Sequence, residues 1–126
     1  MKEILVVGCG GFIGSILRFK IGATILHSFP DARFPWGTWV VNVAGCLLVG
    51  LIAAALERVS FYNAEFRLLL ITGFLGGFTT FSAFGLETVH LIKTGDLVLA
   101  AANVLATVTI GLTAVWCGMW LGQRCV

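Results

Sequence analysis

The sequence predicts an all-α membrane protein of four transmembrane helices with a break in the third, and three observations carry that prediction. The 126 residues are 59% hydrophobic and only 11% charged, with a mean hydropathy of +1.02, whereas a soluble domain carries roughly 25% charged residues. The apolar residues fall into four runs, each near the roughly 20 residues that cross a bilayer, parted by three short charged segments. The third run holds a cluster of glycines and hydroxyl residues that an uninterrupted helix accommodates poorly. Four spans fill this length, so residues 1–126 read as one membrane domain with no separate soluble part.

Span one is about residues 4–26, interrupted by Arg18 and Lys20. Met1 to Leu17 has the basic start and apolar core of a signal peptide, but apolar character resumes after Lys20 and no small-residue cleavage site follows, so the segment is expected to be retained. Gly8, Gly11 and Gly14 match a dinucleotide-binding G-x-x-G-x-x-G. That motif needs alternating strands and helices after it, and uncharged apolar runs follow instead. Gly10 and Gly14 form a G-x-x-x-G, which lets transmembrane backbones approach closely.

Residues 27–35, HSFPDARFP, carry both prolines and both signs of charge and predict a loop. Span two, about residues 36–56, has no charge until Glu57. Within it Thr38 and Asn42 share a helix face at i, i+4. Asn42 either bonds a neighbouring helix or lines a path for a ligand. Residues 57–65 read as a charged turn before span three, about residues 66–92, which is longer than a simple crossing needs. A tight KTGD turn leads to span four, about residues 97–123, with Asn103 as its most polar interior residue and a second G-x-x-x-G at Gly118 and Gly122. Trp36, Trp116 and Trp120 fall near span ends, where aromatic belts belong. His27 and His90 also sit near span ends, and Cys9, Cys46, Cys117 and Cys125 lack metal-binding spacing and read as packing residues.

The stretch from Gly73 to Glu87, GFLGGFTTFSAFGLE, is the predicted functional centre. Each interior glycine costs roughly 1 kcal/mol against alanine in a helix, so the stretch reads as a helix, a break and a second helix. In lipid a break persists only where the freed backbone groups meet protein, water or an ion. The incoming helix offers carbonyls that suit a small hard cation, and the outgoing one offers amides that favour an anion. Phe81 and Phe84 are neighbours on one face. Their positive ring edges can touch an anion without trapping it as a lysine would. Thr80 and Ser82 add hydroxyls. Glu87, a carboxylate deep in a span, reads as a proton site, an acceptor for hydroxyls or a partner of a cation. Arg18 either snorkels to the interface or draws anions into a vestibule.

With four spans both termini lie on one side, with Lys2, Arg58, Arg67 and Arg124; the other side has Arg33 and Lys93, with Arg18 and Lys20 near it. This even division gives no preferred orientation under the positive-inside rule. Insertion both ways, and assembly of two opposed copies as an antiparallel homodimer, follow from it.

Three motifs then converge: G-x-x-x-R at Gly14 to Arg18, G-T-x-x-V-N at Gly37 to Asn42, and G-F-x-G-G-F-T-T-F-S at Gly73 to Ser82. In this order, over essentially the whole chain, they resemble the small bacterial fluoride channels called Fluc or CrcB. The resemblance implies a multi-pass protein of the bacterial inner membrane that is no enzyme. It implies an antiparallel dual-topology homodimer with two fluoride pathways and a structural sodium ion at its centre. Phe81 and Phe84 match the pore-lining phenylalanines, Asn42 the pore asparagine, and Thr80 and Ser82 a polar track beside Thr38. Gly76 and Thr79 match the positions whose backbone carbonyls hold sodium, and Glu87 and Arg18 match an acidic and a basic position. Ala83 and Asn103 depart from the family, where Thr and Tyr are common. The implied activity is passive, selective export of fluoride, with no organic cofactor and no nucleic-acid partner. A small proton-coupled drug exporter is the alternative; it needs a carboxylate in span one, which has none after Glu3.

Overall fold

The computed structural model describes residues 1–58 and 64–125, and every described element is helical. Helix α1 is Lys2–Ser28, α2 is Trp36–Arg58, and the third span starts as α3, residues 64–78. After a two-residue break the span resumes as α4, Phe81–Lys93, and the fourth is α5, Leu97–Cys125. All four spans are long and apolar enough to cross a membrane. The 27 residues of α1 rise about 40 Å at 1.5 Å per residue, more than the hydrocarbon thickness. The predicted charged turn of residues 57–65 has its centre, 59–63, outside the described residues.

Local chemistry fixes the ends. Pro30 follows closely on α1, whose last turn closes with the Phe29 amide on the Ile25 carbonyl at 3.1 Å. Pro35 directly precedes α2, and its carbonyl takes the Trp39 amide at 3.0 Å. The α4–α5 turn places Gly95 at φ +83°, the left-handed conformation that glycine adopts without cost. Its amide bonds Ile92 at 3.1 Å, and the next amide, of Asp96, bonds Leu91 at 2.9 Å, closing the helix as a Schellman turn.

The bundle packs as two helix pairs, α2 on α5 and α1 on α3. Small residues set both contacts. A β-carbon on Gly10 would meet the backbone of Leu69 and Phe74, and one on Gly14 would meet that of Phe74 and Phe78. On the other pair Gly118 lies against the Leu47 and Leu51 backbone, and Gly50 against Val115 and Met119. The two G-x-x-x-G motifs therefore act in helix packing, and no nucleotide-binding turn forms at Gly8, Gly11 and Gly14, which lie within α1. Ion pairs mark opposite ends of the bundle: Lys2 to Glu65 at 2.7 Å, and Arg33 to Asp96 at 2.6 Å.

The break differs in origin from the sequence expectation. Gly73, Gly76 and Gly77 stay helical, within a span that is π-helical over Leu68–Leu75 and α-helical over Gly76–Phe78. Gly73 and Gly77 serve contact with α1, approaching Val7 and Gly11. Close backbone packing offsets their conformational cost. The chain leaves the helix at Thr79 (φ −88°, ψ 159°) and Thr80 (φ −150°, ψ 116°). Threonines, not glycines, form the opening.

Candidate functional site

Two side chains hold the break open. Asn42, reaching across from α2, accepts the Thr80 amide on Oδ1 at 2.8 Å and donates from Nδ2 to the Thr80 carbonyl at 3.0 Å. A single side-chain amide thus satisfies both polar groups of one peptide residue, as a paired strand would. Thr80 is also the N-cap of α4, its Oγ1 accepting the Ala83 amide at 3.2 Å. Ser82 Oγ shares a hydrogen bond with the same hydroxyl at 3.2 Å.

These bonds redirect the backbone. In a continuous helix the Gly76 carbonyl would take the Thr80 amide and the Thr79 carbonyl would take the Ala83 amide. Asn42 and the Thr80 hydroxyl capture those two amides instead. Gly76 and Thr79 are the positions that the family resemblance, not the residues alone, singles out for carbonyls holding a cation. The intervening Gly77 carbonyl receives a long hydrogen bond from Ser15 Oγ in α1, 3.4 Å. The role of Ser15 was not foreseen; its only signal is a hydroxyl one residue after Gly14 on a glycine-rich helix.

Phe81 and Phe84 lie on the first turn of α4, ring centroids 5.4 Å apart and tilted by 47°. They differ in setting, since Phe81 is 82% exposed while Phe84 is buried. Both border a groove of about 520 Å³ together with Asn42, Gly76, Thr79 and Thr80. A second cavity, about 310 Å³, is bounded by Ser15, Arg18, Thr38 and Thr80. A third, about 250 Å³, is bounded by Thr38, Glu87 and Arg33. Thr80 is common to the first two and Thr38 to the last two, so the three follow one another along the bundle. Of the residues proposed from sequence for an ion path, only Ser82 borders none of the three, and it reaches them through Thr80.

Thr38 Oγ1 donates to Glu87 Oε1 at 2.6 Å, crossing from α2 to α4. Glu87 therefore acts at least as an acceptor for a hydroxyl. Its other oxygen, Oε2, is buried without a hydrogen-bond partner among the described residues, as is Trp39 Nε1. A buried acceptor left open in this way calls for water, a proton or a donor on a ligand. Asn103, 1% exposed, donates from Nδ2 to Thr88 Oγ1 at 2.9 Å and takes Thr107 Oγ1 at 3.4 Å. Thr88 in turn donates to the Phe84 carbonyl at 2.7 Å, so a polar chain runs from α5 to the phenylalanine turn. The i, i+4 spacing of Asn103 and Thr107 was visible in sequence, but their partner on α4 was not.

His27 and His90 are exposed at one end of the bundle. Cys9, Cys46 and Cys117 are free thiols, and no group of three or more His, Cys, Asp or Glu suited to a metal occurs among the described residues.

Four membrane-length helices around a clamped, phenylalanine-flanked break define a multi-pass membrane protein of the discontinuous-helix kind. The family model described as CrcB-like protein, Camphor Resistance (CrcB), matches residues 5–119, and the chain belongs to that family. Its relatives carry the name of an ion channel, not of an enzyme. A protein of Methylobacillus flagellatus named fluoride-specific ion channel FluC is 42% identical over 96% of this chain and 94% of its own. Proteins of the same name are 44% identical in Allorhizobium ampelinum, over 98% of both chains, and 42% identical in Rhizobium meliloti, over the full length of both.

Proposed function

We propose that this chain is a fluoride-selective channel that conducts the ion passively through the bacterial inner membrane. The observation that carries the reading is the succession of cavities from Glu87 and Thr38 past Arg18 to Asn42, Phe81 and Phe84. The names of the relatives agree with it. Hydroxyl and amide groups replace part of the hydration shell of a small anion, and phenylalanine edges add weak contacts that let it leave. Arg18 borders the middle cavity, where its charge favours anions over cations. Fluoride enters cells as its neutral acid and is trapped as the anion, so a passive leak at negative membrane potential expels it.

The assembly in this reading is an antiparallel dual-topology homodimer with two pathways. Support comes from the even division of Lys and Arg between the two ends and from the exposure of Phe81 beside the groove. A second copy laid over the groove would complete the walls that a single chain leaves open.

A sodium ion at the dimer centre fits the residues present. The carbonyls of Gly76 and Thr79 lack the amides that a continuous helix would supply, and oxygen ligands of this kind suit a hard cation. Bound there, sodium supplies fixed positive charge between the two breaks. The chain's own contribution is to hold those carbonyls out of the helix through Asn42 and Thr80.

The test is efflux from proteoliposomes, read with a fluoride electrode. Fluoride efflux well above chloride efflux is expected. Absence of fluoride efflux, or equal chloride efflux, rejects the channel reading. Loss of efflux and of dimer on replacing sodium by N-methylglucamine is expected if the ion is structural; indifference to the exchange removes sodium from the proposal.

A further inference from the structure

Arg33 and Asp96 pair at 2.6 Å at the loop end of the bundle, with side chains 73% and 22% exposed. An exposed ion pair contributes little to stability, so its position is of more interest than its energy. Arg33 borders the cavity that contains Thr38 and Glu87, and also a neighbouring one with Glu87, His90 and Leu91. The arginines bordering these cavities are thus Arg18, deeper in, and Arg33, at the mouth.

Asp96 is a rigid anchor. Its amide closes the Schellman turn on Leu91 at 2.9 Å, and its carbonyl takes the Ala100 amide at 3.0 Å at the start of α5. A residue preceding a helix in this way ordinarily turns its side chain onto the helix's own amides. The Asp96 carboxylate instead bonds Arg33 Nη1. A guanidinium has five N–H donors, and only those on one nitrogen face this partner.

We propose that Arg33 is the anion-recruiting charge at the mouth of the pathway, and that Asp96 both fixes its position and offsets part of its charge. Arg33 raises the local anion concentration before desolvation begins, and Asp96 keeps the site from becoming a trap. This inference rests on the fluoride-channel reading. Recruitment of this sort acts through the field and is screened by salt. A merely structural strap is not.

The experiment measures initial fluoride efflux from proteoliposomes at a fixed sodium concentration of about 10 mM, with N-methylglucamine isethionate raising the ionic strength from about 10 mM to about 1 M, where the Debye length falls from about 30 to about 3 Å. Arg33→Gln is expected to lower efflux about threefold or more at the low-salt end and to converge with the unmodified channel at the high-salt end. Asp96→Asn keeps an oxygen that can accept from Arg33 but removes its charge, and is expected to raise low-salt efflux. The exchanged pair Arg33→Asp with Asp96→Arg restores the strap but puts a negative charge on the cavity wall, and is expected to stay low at low salt. If the exchanged pair regains the original efflux and salt profile, the pair is a strap and the inference is overturned. An unchanged salt profile in Arg33→Gln overturns it as well, while leaving the channel reading intact. Absence of fluoride efflux from the unmodified protein overturns both.

Discussion

The side chain of Asn42 and the backbone of Thr80 form a two-way hydrogen-bonded pair, at 2.8 Å and 3.0 Å, across the gap between α2 and the broken span. Removing that amide loses both hydrogen bonds of the half-buried Thr80 backbone, at roughly 0.5–1.5 kcal/mol each. Asn42→Ala is therefore expected to reduce fluoride efflux at least tenfold while circular dichroism still reports a helical protein. Asn42→Asp keeps an acceptor for the Thr80 amide but sets a carboxylate beside the path. It is expected to unfold at a higher temperature than Asn42→Ala and to conduct no better.

The two phenylalanines should separate by stability. Phe81 is largely exposed in the single chain, so Phe81→Ile is expected to leave the chain's own helical fold intact while lowering fluoride efflux. Phe84 is buried, and Phe84→Ala is expected to cost about 3 kcal/mol or more. Thermal unfolding in detergent, beside efflux, makes the comparison. Full efflux from Phe81→Ile would remove that ring from the pathway.

Thr38 is the donor to Glu87 at 2.6 Å. Thr38→Val removes the hydrogen bond to Oε1, and Oε2 has no partner among the described residues. A stability loss of about 1–3 kcal/mol and a clear fall in efflux are expected, with Thr38→Ser close to the unmodified protein. Equal behaviour of Val and Ser would show that the hydroxyl is not needed.

Glycines on the packed faces should tolerate nothing larger. A β-carbon at Gly14 runs into Phe74 and Phe78 backbone, whereas one at Gly8 meets nothing within 4 Å. Gly14→Leu is expected to abolish assembly of α1 with α3, seen as loss of monodisperse protein in gel filtration. Gly8→Leu is expected to elute normally.

Spans, loops and small-residue contacts were legible because they rest on local chemistry: apolar run length, Pro30 and Pro35, the left-handed turn at Gly95, and the G-x-x-x-G pairs. The position of the break was legible too, since Thr79, Thr80 and Ser82 stand out in an apolar span. Its cause was not. Glycine cost pointed to Gly73, Gly76 and Gly77, but Gly73 and Gly77 gain backbone contact with α1, and the opening is set at Thr80 by Asn42, 38 positions away in sequence. Asn103 on Thr88 and Arg33 on Asp96 were hidden for the same reason, because a long-range hydrogen bond has no periodicity to read.

The clamp at Thr80 has a consequence for biogenesis. Residues 64–93 carry within themselves every group needed for a continuous helix, and the partner that prevents one is on α2. Freshly inserted into lipid by itself, this span would close the Thr80 amide back onto the Gly76 carbonyl. Asn42 docks from another span to hold the gap, so the break is a product of tertiary assembly and not of residues 64–93 alone.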